Sequence, residues 1–82
     1  MKNYFEVFTY TLFNENGKEI DMMELTKADY EHAKLLYDSL LMIEKTSRTE
    51  YTNSTLWENQ YKVKPNEWTV ILTKEVYYGN NI

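Results

Sequence analysis

A chain of 82 residues without a cysteine has to hold its fold by side-chain packing alone. Domains of this size bury only about 60% of the surface their unfolded chains expose, and many are stapled by disulfides or metals. Neither staple is at hand here, because Cys is absent and His32 is the single imidazole. The length allows one hydrophobic core and hence one domain, with residues 2–79 as the folded unit and Asn80-Asn81-Ile82 as a frayed tail. The material for that core is aromatic: eight Tyr, three Phe and two Trp, each able to bury on the order of 150 to 250 Å².

The order of local signals sets the expected architecture. Residues 4–13 are rich in aromatic and β-branched side chains and run into Asn16-Gly17, the dipeptide that most readily supplies positive φ at a tight hairpin. Pairing 4–13 with 18–25 about that turn sets Phe13 opposite Ile20, Thr11 opposite Met22, Tyr10 opposite Met23 and Phe8 opposite Leu25. One face then carries Phe8, Tyr10, Leu12, Met23 and Leu25. The other carries Phe5, Val7, Thr9, Thr11, Phe13, Ile20, Met22 and Glu24. The first is the better core.

Thr26 with Asp29 three residues on is a variant capping box, and Ala33, Leu36, Leu40 and Ile43 recur at helical spacing behind it. The spacing predicts a helix over 27–45, with Asp29 and Glu31 at its positive end and Lys45 and Arg48 near its negative end. Residues 49–63 read as one strand, bulged or interrupted near Asn53-Ser54. Pro65-Asn66 supplies a turn, and 68–78 alternates Trp68, Val70 and Leu72 against Thr69, Ile71 and Thr73. The expectation is an α+β fold of ββαββ order, a four-stranded antiparallel sheet with one helix on one face. A single helix covers only one face, so Phe13, Ile20 and Met22 are expected on an open one.

Charge narrows the function classes. Thirteen acids against nine Lys and Arg give −4, which argues against direct binding of nucleic acid. The imbalance is uneven: residues 1–44 carry −5 and residues 45–82 carry +1. The densest acidic part holds Glu15, Glu19, Asp21, Glu24, Asp29 and Glu31, against only Lys18 and Lys27. The amino terminus has no apolar stretch of signal-peptide length, and the absence of Cys fits a reducing compartment, so a cytoplasmic location is expected. The longest aliphatic run, Leu40-Leu41-Met42-Ile43, is far short of the roughly 20 residues a membrane span needs. Asn53-Ser54-Thr55, a glycosylation pattern, reads as a polar loop.

No arrangement carries catalysis. Ser39, Ser47 and Ser54 stand outside any nucleophile motif, and His32 falls on the predicted helix as a solvated residue. Asp29 and His32 share a helix face, but no second His or Cys stands with them to complete a metal site. Asp21 and Glu24 alternate to opposite faces of one strand and do not converge on a substrate. Gly17 and Gly79 are isolated, which leaves no phosphate cradle. No catalytic residue, metal or cofactor is expected.

What the sequence does assemble is the means of binding: carboxylates on the first hairpin and helix start beside the apolar Phe13, Ile20 and Met22. Interfaces draw affinity from apolar anchors and orientation from rim charges. The expected function is therefore a protein-binding module facing a partner with a basic surface. The residues Phe, Tyr, Met, Ile, Asn and Lys, spelled by AT-rich codons, make up 35 of 82 positions, a low-GC bacterial or phage composition. In size, charge and composition over the whole chain, and through no motif, it resembles the small acidic anti-CRISPR and anti-restriction proteins of phages. That resemblance implies an inhibitor whose six carboxylates stand for phosphate charges on a basic, nucleic-acid-handling protein such as a CRISPR effector. The alternative expectation is a homodimer pairing its open sheet faces.

Overall fold

A computed structural model describes residues 3–79; the tail expected to fray lies outside them. The chain runs β1 (Tyr4–Phe13), β2 (Glu19–Leu25), α1 (Lys27–Ser39), β3 (Ile43–Tyr51), β4 (Ser54–Val63) and β5 (Trp68–Tyr78). All five strands join one antiparallel sheet in the order β2-β1-β5-β4-β3. This overturns the four-stranded ββαββ expectation: the segment after the helix supplies two strands before β5, where one was expected.

The extra strand exists because the helix is short. It stops at Ser39, not at residue 45: Ser39 Oγ donates to the Leu36 carbonyl at 2.8 Å, and Leu40 is extended (φ −77°, ψ 140°). Leu40 and Ile43 keep helical spacing in the sequence, yet Ile43 is drawn into the sheet opposite Val63. The strand it opens, Ile43-Glu44-Lys45-Thr46-Ser47-Arg48-Thr49-Glu50-Tyr51, is polar on both sides and shows no alternation. It is an edge strand with mostly exposed residues, so nothing requires its inner and outer positions to differ in polarity. Lys45 and Arg48 accordingly lie on β3, outside the helix.

The first hairpin keeps the expected register from Phe8 opposite Leu25 through Thr11 opposite Met22. It then shifts: Leu12 pairs with Asp21 but Phe13 pairs with Glu19, so Ile20 is the extra residue of a bulge. The turn is correspondingly longer than a two-residue Asn16-Gly17 link. Asn14 Oδ1 accepts from the N–H groups of Asn16 (2.9 Å) and Lys18 (3.0 Å), and Gly17 N–H donates to the Asn14 carbonyl. Of Asn16 and Gly17, only Gly17 takes positive φ, at 80°.

Thr26 caps the helix as its spacing with Asp29 implies, its Oγ1 accepting from the Asp29 N–H at 3.1 Å. The helix then packs on the face of Phe8, Tyr10, Leu12 and Leu25. Tyr30 meets Phe8 at 4.9 Å between ring centroids, and Tyr37 lies over Tyr61 at 5.3 Å. With Val70 and Leu72 these rings form the core, and the Tyr61 and Leu72 side chains are fully enclosed. The molecule extends 51 Å by 24 Å by 20 Å, whereas a 13-residue helix is about 20 Å long. Part of the helix-side face is therefore left uncovered.

Candidate partner-binding surface

β2 is an edge strand, so among the described residues one row of its backbone N–H and C=O groups has no strand beside it. Every residue on it except Leu25 is exposed. Among them are three large apolar side chains, Ile20, Met22 and Met23, with Met22 at 61% of full exposure. Glu19, Asp21 and Glu24 stand between them. Met22 and Glu24 pair with Thr11 and Thr9 and face away from the helix, while Asp21 and Met23 face its side. Asp21 turns its carboxylate back to accept from the Met22 N–H at 2.9 Å.

The remaining predicted residues surround this edge without forming one row. Asp29 and Glu31 are exposed on the first half of the helix. Glu15, in the turn, is already engaged, its Oε2 accepting from Trp68 Nε1 at 2.6 Å. Phe13 is half-buried at the end of β1. The open face behind it is less apolar than expected, because Thr9 pairs with Thr73 and Thr11 with Ile71 at its centre. Farther across, Arg48 bonds Glu58 at 3.0 Å and Ser54 donates to Glu75 at 2.9 Å. Phe5, at the far end, stacks on Tyr77 at 5.0 Å. Phe13, Ile20 and Met22 thus belong to the β2 corner, not to a continuous sheet-wide patch.

Two further features escape the sequence patterning. The first is an apolar knuckle where the helix ends: Leu35, Leu36, Leu40, Leu41 and Met42 are all exposed, Leu41 at 97%. It borders a hollow of about 370 Å³ lined by Leu40, Met42, Ile43, Val63 and neighbours. The four-residue aliphatic run is its signal, masked by helical spacing that assigns those residues to the helix.

The second is a groove of about 390 Å³ between the helix flank and β3–β4–β5, lined by Lys34, Lys45, Ser47, Trp57, Asn59 and Lys74 among others. Below it, Asp38 accepts from Lys45 (2.6 Å), Tyr61 (2.8 Å) and Lys34 (3.0 Å). Partial burial pushes its carboxyl pKa up, but those three donors outweigh it and hold the group at about 2. Tyr61 is shifted the other way, well above an ordinary phenol, by burial and by the Asp38 charge.

Among the described residues no group of three or more His, Cys, Asp or Glu stands close enough to hold a metal ion, and His32 is an exposed helix residue. No helix among them is long and apolar enough to cross a membrane. The fold and surface thus define a small mixed α/β domain, a five-stranded antiparallel sheet with one helix. Comparison with protein-family models, curated proteins and solved structures gives no match.

Proposed function

We propose that this chain is a non-catalytic protein-binding module whose contact surface is the β2 edge with the adjoining helix start. The observation that supports the reading is the make-up of that strand: an open edge, three exposed large apolar side chains and three carboxylates within seven residues. Exposed apolar residues on a sheet edge invite pairing with another chain, and such edges are normally blunted by charge or covered. Here Glu19, Asp21 and Glu24 blunt the edge toward copies of itself and toward acidic proteins, and leave it open to a basic partner.

The finer form of the reading follows the resemblance in size and charge: an inhibitor of the phage anti-CRISPR or anti-restriction kind. It would occupy the phosphate-accepting surface of a nucleic-acid-processing protein, with Glu15, Glu19, Asp21, Glu24, Asp29 and Glu31 as its charges. Because these carboxylates stand on the turn, both sides of β2 and the helix, contact would be made edge-on and not through a flat face.

The test is an affinity capture of tagged protein from lysate of a low-GC bacterium, washed at low and high salt, run beside a Met22→Asp/Glu24→Lys variant. One basic, nucleic-acid-handling partner retained at low salt, released at high salt and lost with the variant is the expected result. Equal recovery by the variant, with its circular dichroism unchanged, overturns the reading.

A second reading is self-association, favoured by one observation: Leu41 projects at the helix end beside an apolar hollow. A protruding side chain next to a hole is the geometry a two-fold interface uses. In this reading the copies would meet at the knuckle, whereas the homodimer expected from the sequence would pair the open sheet faces, whose centre carries threonines. Sedimentation distinguishes the two readings: a dimer split by Leu41→Glu supports self-association, and a monomer at high concentration removes it.

A further inference from the structure

We propose that the groove between the helix flank and β3–β4–β5 is a binding site for a small organic phosphate, with Lys34, Lys45 and Lys74 as its cations. The groove is independent of the β2 edge, which lies at the opposite side of the sheet.

The groove concentrates positive charge. The chain carries nine Lys and Arg against thirteen acids, yet four of those nine cations and only one acid, Glu58, line this hollow. Arg48 and Glu58 point to the other face of the sheet, where Arg48 pairs with both Glu50 and Glu58, so Arg48 adds no positive charge to the groove. Lys34 and Lys45 share Asp38, and Lys74 pairs with Glu6 at 3.4 Å, so three ammonium groups face two carboxylates and the groove keeps net positive charge on an acidic protein. Each ammonium has three donors and commits one to its carboxylate, which leaves two for a ligand.

Its floor is polar where apolar residues would be expected. On the helix-side face, the cross-strand row Lys45–Tyr61–Val70 ends in enclosed core. In the next two rows, Ser47–Asn59 leads on to the enclosed Leu72 and Thr49–Trp57–Lys74 runs across three strands, so the β3–β4 part of both rows is polar or amphipathic. Asn59 is only 6% exposed and accepts from Ser47 Oγ at 2.8 Å. Tyr30 also bonds the Asn59 side chain, so this amide is satisfied within the protein and keeps the groove floor polar. Polar floor, cationic walls and two aromatic side chains, Tyr30 and Trp57, are the composition of a pocket for an anion with an organic portion.

Its size and shape suit a small molecule. The volume is about 390 Å³, within the range of small-ligand clefts. Trp57 forms one wall, with Lys74 Nζ 4.9 Å from its ring centroid. Lysines serve as point-charge phosphate binders, and three of them around one hollow match a multiply charged phosphate better than a single carboxylate.

The experiment is an ¹⁵N NMR titration of the whole chain with ADP, with inorganic pyrophosphate and a single-stranded oligothymidine as separate arms. The expected result is saturable shifts with ADP confined to Lys34, Lys45, Ser47, Asn59, Lys74 and the Trp57 indole, reproduced by pyrophosphate at the lysines. Lys74→Gln and Lys34→Gln should each weaken ADP about tenfold, equal to ~1.4 kcal/mol, while thermal melts report the fold intact. Absence of saturable shifts, shifts spread to Lys18, Lys27 and Lys62, or undiminished binding by both folded variants overturns the site. Oligothymidine displacing ADP at lower concentration would overturn the small-molecule assignment in favour of nucleic acid.

Discussion

Three donors converge on the Asp38 carboxylate, and the pKa of about 2 at which they hold it against partial burial makes this residue a reporter of the fold. Its folded pKa lies below the ordinary value of 3.8, so the stabilisation is complete above that value and is lost as pH falls through about 2. Discounted for the carboxyl's solvent contact, a shift of this size corresponds to on the order of 1–2 kcal/mol. Urea unfolding followed between pH 5 and 2 should show that loss in the native chain and a much flatter acid limb in Asp38→Asn. Tyr61→Phe removes one of the three donors and should cost about 1–2 kcal/mol at neutral pH while raising the midpoint of the acid limb. By contrast Leu72→Ala, in the enclosed core, should cost ~3 kcal/mol through a cavity and leave the pH profile unshifted.

At the scale of elements, two local signals carry specific costs. Thr26→Ala removes the acceptor that caps the Asp29 N–H and should lower stability by about 1 kcal/mol in chemical denaturation. Gly17 has φ of 80°, and the position a Cβ would take there has no atom within 4 Å. Gly17→Ala should therefore cost about 1 kcal/mol from backbone strain alone, with no clash to relieve. Both features were legible in the sequence, as was the register that sets Phe8, Tyr10 and Leu25 on the core face, because half-buried strands and capped helices must alternate or repeat to bury one side. β3 was not legible. An edge strand of Glu44, Lys45, Thr46, Ser47 and Arg48 presents polar groups on both faces, and the helical spacing from Leu36 to Ile43 continues across the true helix end. Missing β3 also hides the phosphate groove, since Lys45 and Ser47 meet Tyr61 and Asn59 only through its pairing with β4. The single sequence trace of that groove is the +1 charge of residues 45–82 on an otherwise acidic chain.

At the scale of the whole molecule, exposed positions separate stability from association. Leu41 is almost entirely outside the fold, so Leu41→Glu should change the unfolding free energy by less than about 0.5 kcal/mol, while sedimentation reads any effect on self-association. The sheet itself is organised around β5, which pairs with β1 on one side and β4 on the other. The β1–β2 hairpin and the β3–β4 hairpin have no strand pairing with each other except through it. The last of the described strands is thus the middle of the sheet, and Tyr4 on β1 pairs with Tyr78 on β5. Pairings this distant in sequence form late, because loop closure has to precede any gain from contact. During synthesis the Phe8 and Tyr30 rings therefore have no Leu72 or Val70 to close over them until β5 leaves the ribosome. A chain halted before Trp68 keeps only the local β1–β2 and β3–β4 pairings, with no strand to join them, so products truncated ahead of β5 should be proteolysed faster than the full chain.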